Sequence, residues 1–373
     1  MRLFTTLALF LFLGLQPASA METKAKQAYI IDFETGQTLL DKQSDVRMPT
    51  SSMSKVMTAI MVFDSIQNGD ITLETTFNVS EKASKKGGSK MFIAQGTDVS
   101  VEDLLRGIII QSGNDATIAV AEGLAGDEDS FAENMTMRAK EIGMNDSNFA
   151  NASGWPDPNH YSTAKDLTSM ATYLIKNYPD YYKFYGETEF EYAGITQSNR
   201  NPLLNSGIGA DGIKTGHTEA AGYGLIGAAV KDGRRVVMVL NGLESNADRS
   251  AESLRLMKWA LNSFKNKKLL TKDQEVATAN VAMGKQEEVA LLADEDVFAT
   301  IKKSNTDQYK INAGFKSPLI APIKKGDVVG TVLVEIKGHD DIKVPLIAAQ
   351  DVEELGFFKK YFKKMKYHIM GAL

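Results

Sequence analysis

Two short apolar runs, Ala28–Ile31 and Thr38–Leu40, flank Glu34-Thr35-Gly36 within residues 28–43. Apolar runs either side of such a turn predict a β-hairpin. After Pro49 the period changes. Met53, Val56, Met57 and Ile60 recur on one side of a helix. VEDLLRGIII (101–110) predicts a second helix, with Ser100 and Asp103 as its cap. It stops at Gln111-Ser112-Gly113-Asn114, expected as a loop before another helix at AVAEGLAG. Residues 146–163 carry Trp155, Pro156, Pro158 and several asparagines and read as loop. DLTSMATYLIKNY (166–178) is helical in pattern. GYGLIGAAV and RRVVMVLNGL (222–243) read as strands around Lys231-Asp232-Gly233. ESLRLMKWALNSF (252–264) is a strongly periodic helix.

Beyond Lys265-Asn266-Lys267-Lys268 the texture changes. From about 270 to 350 the apolar runs are short and Val-rich, with Gly, Pro and Asp at the turns, the pattern of a small β-domain. The last stretch differs again. As a helix it sets Leu355, Phe358, Tyr361, Phe362, Met365 and Ile369 on one face. Lys359, Lys360, Lys363, Lys364 and Lys366 take much of the rest. Aromatic burial plus attraction to anionic lipid is the pattern of an interfacial helix, so a membrane surface is the expected partner. The chain opens with Arg2, a short apolar run Leu7–Leu15 and Ala18-Ser19-Ala20, which reads as a secretory signal. The expected segments are therefore 1–20, 21–267, 268–350 and 351–373.

Composition narrows the chemistry. The chain has 373 residues, 43% hydrophobic and 24% charged, enough for a sizeable core and two domains. A formal net charge of −5 argues against nucleic acid as a partner. There is no cysteine, which removes disulfides, thiolate metal sites and cysteine nucleophiles. Four histidines, His160, His217, His339 and His368, form no HExxH pair, and no GxxxxGK[ST] occurs.

Three short motifs remain. Ser52 and Lys55 are spaced i, i+3, so on a helix they share a face. A lysine whose pKa is lowered can take the serine proton. The spacing is cheap, since Ser162 and Lys165 repeat it. Ser112-Gly113-Asn114 offers a hydroxyl and an amide, or simply a glycine turn. Lys214-Thr215-Gly216 offers a charge and a hydroxyl to a carboxylate, just before an expected strand, with Gly216 admitting a substrate backbone.

S-x-x-K, S-x-N and K-T-G in that order are the signature of the penicillin-interacting serine enzymes. The chain resembles the low-molecular-mass penicillin-binding proteins, D-alanyl-D-alanine carboxypeptidases similar to penicillin-binding protein 5. IDFETGQTLLDKQ, GMNDSNFANASG, GITQSNRNPLL and DGIKTGHTEAAGYGL are close to the family's wording. The resemblance implies an α/β (α+β) fold: a transpeptidase-like catalytic domain (21–267) with an antiparallel sheet flanked by helices. A small β-sandwich and a C-terminal amphipathic helix would follow. It implies Ser52 as nucleophile, Lys55 as base, and Ser112 and Asn114 in the proton network and substrate grip. Lys214, Thr215 and Arg249 would hold the terminal carboxylate, and the backbone N–H groups of Ser52 and His217 would form the oxyanion hole. The implied reaction removes the last D-alanine from peptidoglycan pentapeptide stems, outside the cytoplasmic membrane. β-Lactams would be covalent inhibitors, and no metal or organic cofactor is implied.

Alternatives stay open at this point. A DD-endopeptidase would use the same catalytic domain, and a catalytically silent cell-wall scaffold would keep only the shape. A class A β-lactamase needs a deacylating glutamate, whose spacing Glu141-x-x-x-Asn145 mimics. The role of His160 is open.

Overall fold

The computed structural model describes residues 21–304, 309–337 and 340–361. The expected leader, His339, His368 and most of the expected terminal helix lie outside them. Five strands form one antiparallel sheet: β1 (Gln27–Asp32), β2 (Thr38–Lys42), β3 (Ala210–Thr218), β4 (Gly222–Lys231) and β5 (Arg234–Leu243). Their order is β2-β1-β5-β4-β3, which leaves β3 at an edge. The expected hairpin is the β1–β2 pair.

Successive strand residues point to opposite faces. Ile31, Val237, Val239 and Ile226 join the larger core. Ile30, Met238, Leu240 and Leu225 join a second core on the other face. Both faces are therefore covered, which is why the inner strands β4 and β5 read as nearly continuous apolar runs.

Six longer helices complete the first domain: α1 (Lys55–Gln67), α2 (Val101–Ile109), α3 (Asn114–Ala125), α4 (Glu128–Glu141), α5 (Ala164–Asn177) and α6 (Asn246–Ser263). Helix α1 is buried on most of its circumference and packs against α2, α3, α4 and α5. It is the pillar from which the site is built. Helix α6 covers the second face with Leu256, Met257 and Ala260.

Two helices start earlier than their apolar periods suggest. Ser245 Oγ accepts from the Asp248 N–H at 3.0 Å, so α6 begins at Asn246 rather than 252. Helix α3 begins at Asn114 itself, so Gln111, Ser112 and Gly113 remain of the expected loop. In both cases a polar first turn hides the helix from a hydrophobic-period reading. Ser100 caps α2 as expected, accepting from Asp103 N–H at 3.1 Å.

Helix α6 runs directly into β6 (Phe264–Leu270). Then come β7 (Glu275–Ala282), β8 (Glu288–Ala293), β9 (Val297–Lys302), β10 (Tyr309–Phe315), β11 (Leu319–Ile320), β12 (Val328–Ile336) and β13 (Ile342–Ala348). Strand β6 pairs with β9, and the others form a sheet in the order β10-β12-β13-β8-β7-β11. The two sheets share one core through Leu270, Val297 and Ile301 on one side and Val332, Val334 and Leu346 on the other.

A buried polar network ties this β-rich region to the first hairpin. Asp32, fully buried, accepts from Arg234 Nη1 at 2.9 Å and from Asn266 Nδ2 at 3.0 Å. Thr35 Oγ1 meets Thr300 Oγ1 at 2.6 Å. Residues 357–361 form a helical turn, where Phe357 and Phe358 are exposed. Among the described residues no helix is long and apolar enough to cross a membrane.

Candidate active site

Residues Ser51–Ser54 form a 3-10 turn that feeds α1. Ser51 sits at φ +51°, a left-handed conformation that costs a non-glycine residue about 1 kcal/mol or more. Its neighbours hold it there. Gly154 has φ +78°, and a Cβ on it would lie 1.8 Å from the Ser51 carbonyl oxygen. Gly216 backs the turn from the sheet, where a Cβ would lie 2.9 Å from the Thr50 carbonyl oxygen. The glycine of Lys-Thr-Gly thus admits the serine turn of its own chain, and it also lines the cleft. Ser51 Oγ stands 3.2 Å from Thr218 Oγ1, against the sheet, while Ser52 opens to the cleft.

Lys55 is buried at the first position of α1, and its Nζ has three partners. These are Ser52 Oγ at 2.9 Å, Asn114 Oδ1 at 2.7 Å and the Ser153 carbonyl at 2.7 Å. The Asn114 amide is oriented by its other end, since Nδ2 donates to the Gly87 carbonyl at 2.9 Å. Burial, reinforced by the Arg200 charge, pushes the lysine down to about 7. The partner types then matter. A neutral amine has two N–H donors and one lone pair. Asn114 Oδ1 and the Ser153 carbonyl only accept, so they take the two donors. The lone pair is left for the one partner that can donate, the Ser52 hydroxyl.

Ser112 lies opposite, itself at φ +61°. Its Oγ accepts from Lys214 Nζ at 3.0 Å. Lys214, Thr215 and Gly216 lie within β3 rather than ahead of it. The motif lacked the apolar alternation that marks a strand because its side chains serve the cleft and the serine turn. Lys214 is buried, and burial plus the charges of Lys55, Arg200 and Arg249 drives its pKa well down.

Ser52, Ser112, Thr215, His217 and Arg249 all line one cleft of about 630 Å³. Lys55 and Lys214 lie beneath it and donate to the Ser52 and Ser112 hydroxyls, and Asn114 joins them by accepting from Lys55. All eight expected side chains are thereby brought together. His217 is exposed and stacks on Tyr223 at 3.9 Å. Arg249 is 6% exposed. Its Nη2 donates to Asn246 Oδ1 at 2.5 Å, while its Nε is buried with no protein partner.

Arg200 also lines this cleft, donating to Ser89 Oγ at 2.7 Å. Sequence reasoning passed over it. Its signal was its place inside GITQSNRNPLL, but a lone arginine between asparagines reads equally as surface. Burial lowers the pKa of both guanidinium groups, Arg200 and Arg249. No carboxylate lines the cleft among the described residues. In a chain of net charge −5, Arg200 and Arg249 thus make this opening locally positive.

The competing patterns fall elsewhere. Ser162 is buried against Ser147 Oγ at 2.7 Å, whereas Lys165 faces Asp45 at 3.5 Å. Glu141 ends α4 in an ion pair with Arg138 at 2.9 Å, away from the cleft. His160 Nδ1 accepts from the Ala150 N–H at 3.2 Å, which leaves Nε2–H to donate to Ser54 Oγ at 2.7 Å. Burial pushes this histidine down to about 4, so it is a neutral strut under the serine turn.

Residues 15–245 match the family model described as D-alanyl-D-alanine carboxypeptidase. The chain belongs to that family. Residues 264–354 match the model for the C-terminal domain of penicillin-binding protein 5. D-alanyl-D-alanine carboxypeptidase DacC of Escherichia coli is 34% identical, over 96% of this chain and 92% of the relative. Penicillin-binding protein 5 from Haemophilus influenzae superposes with a TM-score of 0.78 at 34% identity, covering 91% of this chain and all of that one. Penicillin-binding protein D2 from Listeria monocytogenes, in its ampicillin-bound form, superposes with a TM-score of 0.59 at 29% identity. That match covers 65% of this chain and 98% of the other. The carboxypeptidase family model stops at 245, short of the whole of α6 and so of Arg249.

Proposed function

We propose that this protein is a serine D-Ala-D-Ala carboxypeptidase that removes the terminal D-alanine from peptidoglycan pentapeptide stems through an acyl-enzyme on Ser52. The observation that carries the reading is the Lys55 Nζ–Ser52 Oγ contact of 2.9 Å, with the lysine's other two partners restricted to acceptors.

In this reading Lys55, as the neutral amine, takes the Ser52 proton while Oγ attacks the carbonyl of the penultimate D-alanine. Ser52 and His217 backbone N–H groups receive the developing oxyanion. Collapse breaks the amide bond. The leaving D-alanine nitrogen takes a proton through Ser112, which Lys214 holds at 3.0 Å. Water then attacks the acyl ester, Lys55 takes a proton from it, and Ser52 is regenerated. Asn114 steadies both Lys55 and the substrate amide. Thr215, Lys214 and Arg249 receive the terminal carboxylate. Arg200 joins them, because it adds a second guanidinium to a cleft with no anion of its own.

β-Lactams fit the same chemistry, as acyl donors whose leaving group stays attached; ampicillin is bound by the Listeria relative. The proposed organisation is a leader at 1–20, the catalytic domain at 21–267, the β-domain at 268–350 and a membrane anchor at 351–373. The protein would then work in the periplasm, attached to the outer face of the inner membrane. Exposed Phe357 and Phe358 beside Lys359 support the anchor. Intact-mass and peptide mapping after a penicillin pulse tests the core of the proposal. One adduct on Ser52 is expected, and an adduct on another residue, or none, contradicts it.

A further inference from the structure

We infer that Lys86 and Trp155 read the residue on the acyl side of the scissile bond, and that they favour a peptide in which the residue before D-Ala-D-Ala carries a side-chain carboxylate over one carrying only a side-chain amine. The inference rests on the carboxypeptidase reading above and specifies its substrate class.

Trp155 is 43% exposed, yet its backbone is pinned. Asn151 Oδ1 accepts from the Gly154 and Trp155 N–H groups, both at 2.9 Å, and Asn151 Nδ2 donates to the Trp155 carbonyl at 2.9 Å. A large, half-exposed indole on a pinned backbone is a contact platform. It stands at the rim of the catalytic centre. A Cβ on Gly88 would lie 3.0 Å from the indole Cζ3 and 2.7 Å from Asn114 Nδ2, so one glycine separates the ring from the amide that holds Lys55. Two residues before it, the Ser153 carbonyl holds Lys55 directly.

Lys86 Nζ lies 4.6 Å from the centre of the indole ring. Its neighbours are ion-paired, Lys82 with Glu128 and Lys85 with Glu81. No carboxylate pairs with Lys86 among the described residues. Nearby acids are committed elsewhere. Asp115 accepts the N–H groups of Met91, Phe92 and Ala116. Asp157 takes Asn159 N–H and directs its field at His160.

The side of the bond follows from the cavities. The arginine-lined cleft takes the terminal carboxylate. Trp155 lines a neighbouring cavity of about 530 Å³, together with Arg47, Ser51, Gly154, Asp157 and Thr218. Arg47 is paired with Asp146 at 2.9 Å, and Lys86 meets the indole ring outside that lining, on the side of Gly87 and Gly88. Ser51 and Ser52 divide the two, so a peptide whose carboxylate sits at Arg249 extends past Ser52 towards Trp155. At the indole, the Lys86 ammonium attracts a carboxylate and repels a second ammonium, and both effects discriminate in the same direction.

The test compares kcat/KM for three stem pentapeptides that differ at the third residue: meso-diaminopimelate, its side-chain carboxamide, and L-lysine. The wild type should favour the diacid about five-fold, the scale of one exposed charge pair. Lys86→Met should bring the three rates together, and Lys86→Glu should favour lysine. Ratios within one variant cancel any effect of Lys86 on Lys55 or on folding. Equal rates for the wild type, or an unchanged preference in Lys86→Met, overturns the inference and leaves the carboxypeptidase reading standing. Hydrolysis of none of the three by the wild type overturns that reading and the inference with it.

Discussion

Lys55 Nζ and Ser52 Oγ stand 2.9 Å apart, and the 3-10 turn between them is what makes the contact. Loss of a positioned base costs about 10²–10⁴-fold in rate. Lys55→Met should therefore lose acylation on that scale while the folded protein persists, and Ser52→Ala should lose it altogether. Ser51→Ala should keep it, because Ser51 turns to Thr218. Labelling by a fluorescent penicillin, with melting curves for each variant, measures all three.

The pH profile follows from the same lysine. It must be neutral to accept the serine proton, and its value is pushed down to about 7. The second-order acylation rate should rise through pH 7 and level off above it. A limb centred near 10 would mean that burial does not tune Lys55.

How much of this was legible beforehand depended on the kind of signal. The order Ser52-Lys55, Ser112-Asn114, Lys214-Thr215 carried the site, because chemistry restricts residue type at each position. The β1–β2 hairpin and the Val-rich second region carried the architecture by period alone. Arg200 did not stand out, since nothing local distinguishes a buried arginine from an exposed one. The strand at 210–218 was missed because Lys214 and Gly216 answer to the cleft and the serine turn rather than to alternation. The starts of α3 and α6 were missed because their first turns, around Asn114 and Asn246, are polar.

Glycine substitutions separate backbone strain from crowding. Gly36 has φ +70° and open space around it, so Gly36→Ala should cost only about 1 kcal/mol. Gly154→Ala adds a collision with the Ser51 carbonyl and should cost about 3 kcal/mol or more. It should also lose penicillin labelling at temperatures where it stays folded, because relief of the collision moves the serine turn. Thermal unfolding and labelling, run side by side, check both.

His160 should make the protein acid-sensitive. Its folded-state value, about 4, lies below the ordinary 6.5, so the unfolded chain binds more protons between those limits. Stability should fall as pH drops through that window, by about 3 kcal/mol from this residue. His160→Gln should flatten that part of a stability–pH curve, and an unchanged slope would contradict the assignment.

Asp32 tests the tie between the two domains. Asp32→Ala leaves Arg234 buried without its partner, and breaking such a pair costs about 3–5 kcal/mol. Turnover of a small soluble peptide should survive at temperatures where the variant is folded, since Asp32 lies far along the sheet from the edge strand that carries Lys214. Denaturation midpoints and peptide turnover measure the two halves of that statement.

The most direct measurement is D-alanine release from a soluble peptide ending in D-Ala-D-Ala, with wild type and Ser52→Ala compared under the same conditions. Release by the wild type and none by the variant is the predicted result. Equal release by both would remove Ser52 from the mechanism. No release by a folded wild-type protein that still labels with penicillin would contradict the carboxypeptidase reading and turn attention to cross-linked peptides as the substrate.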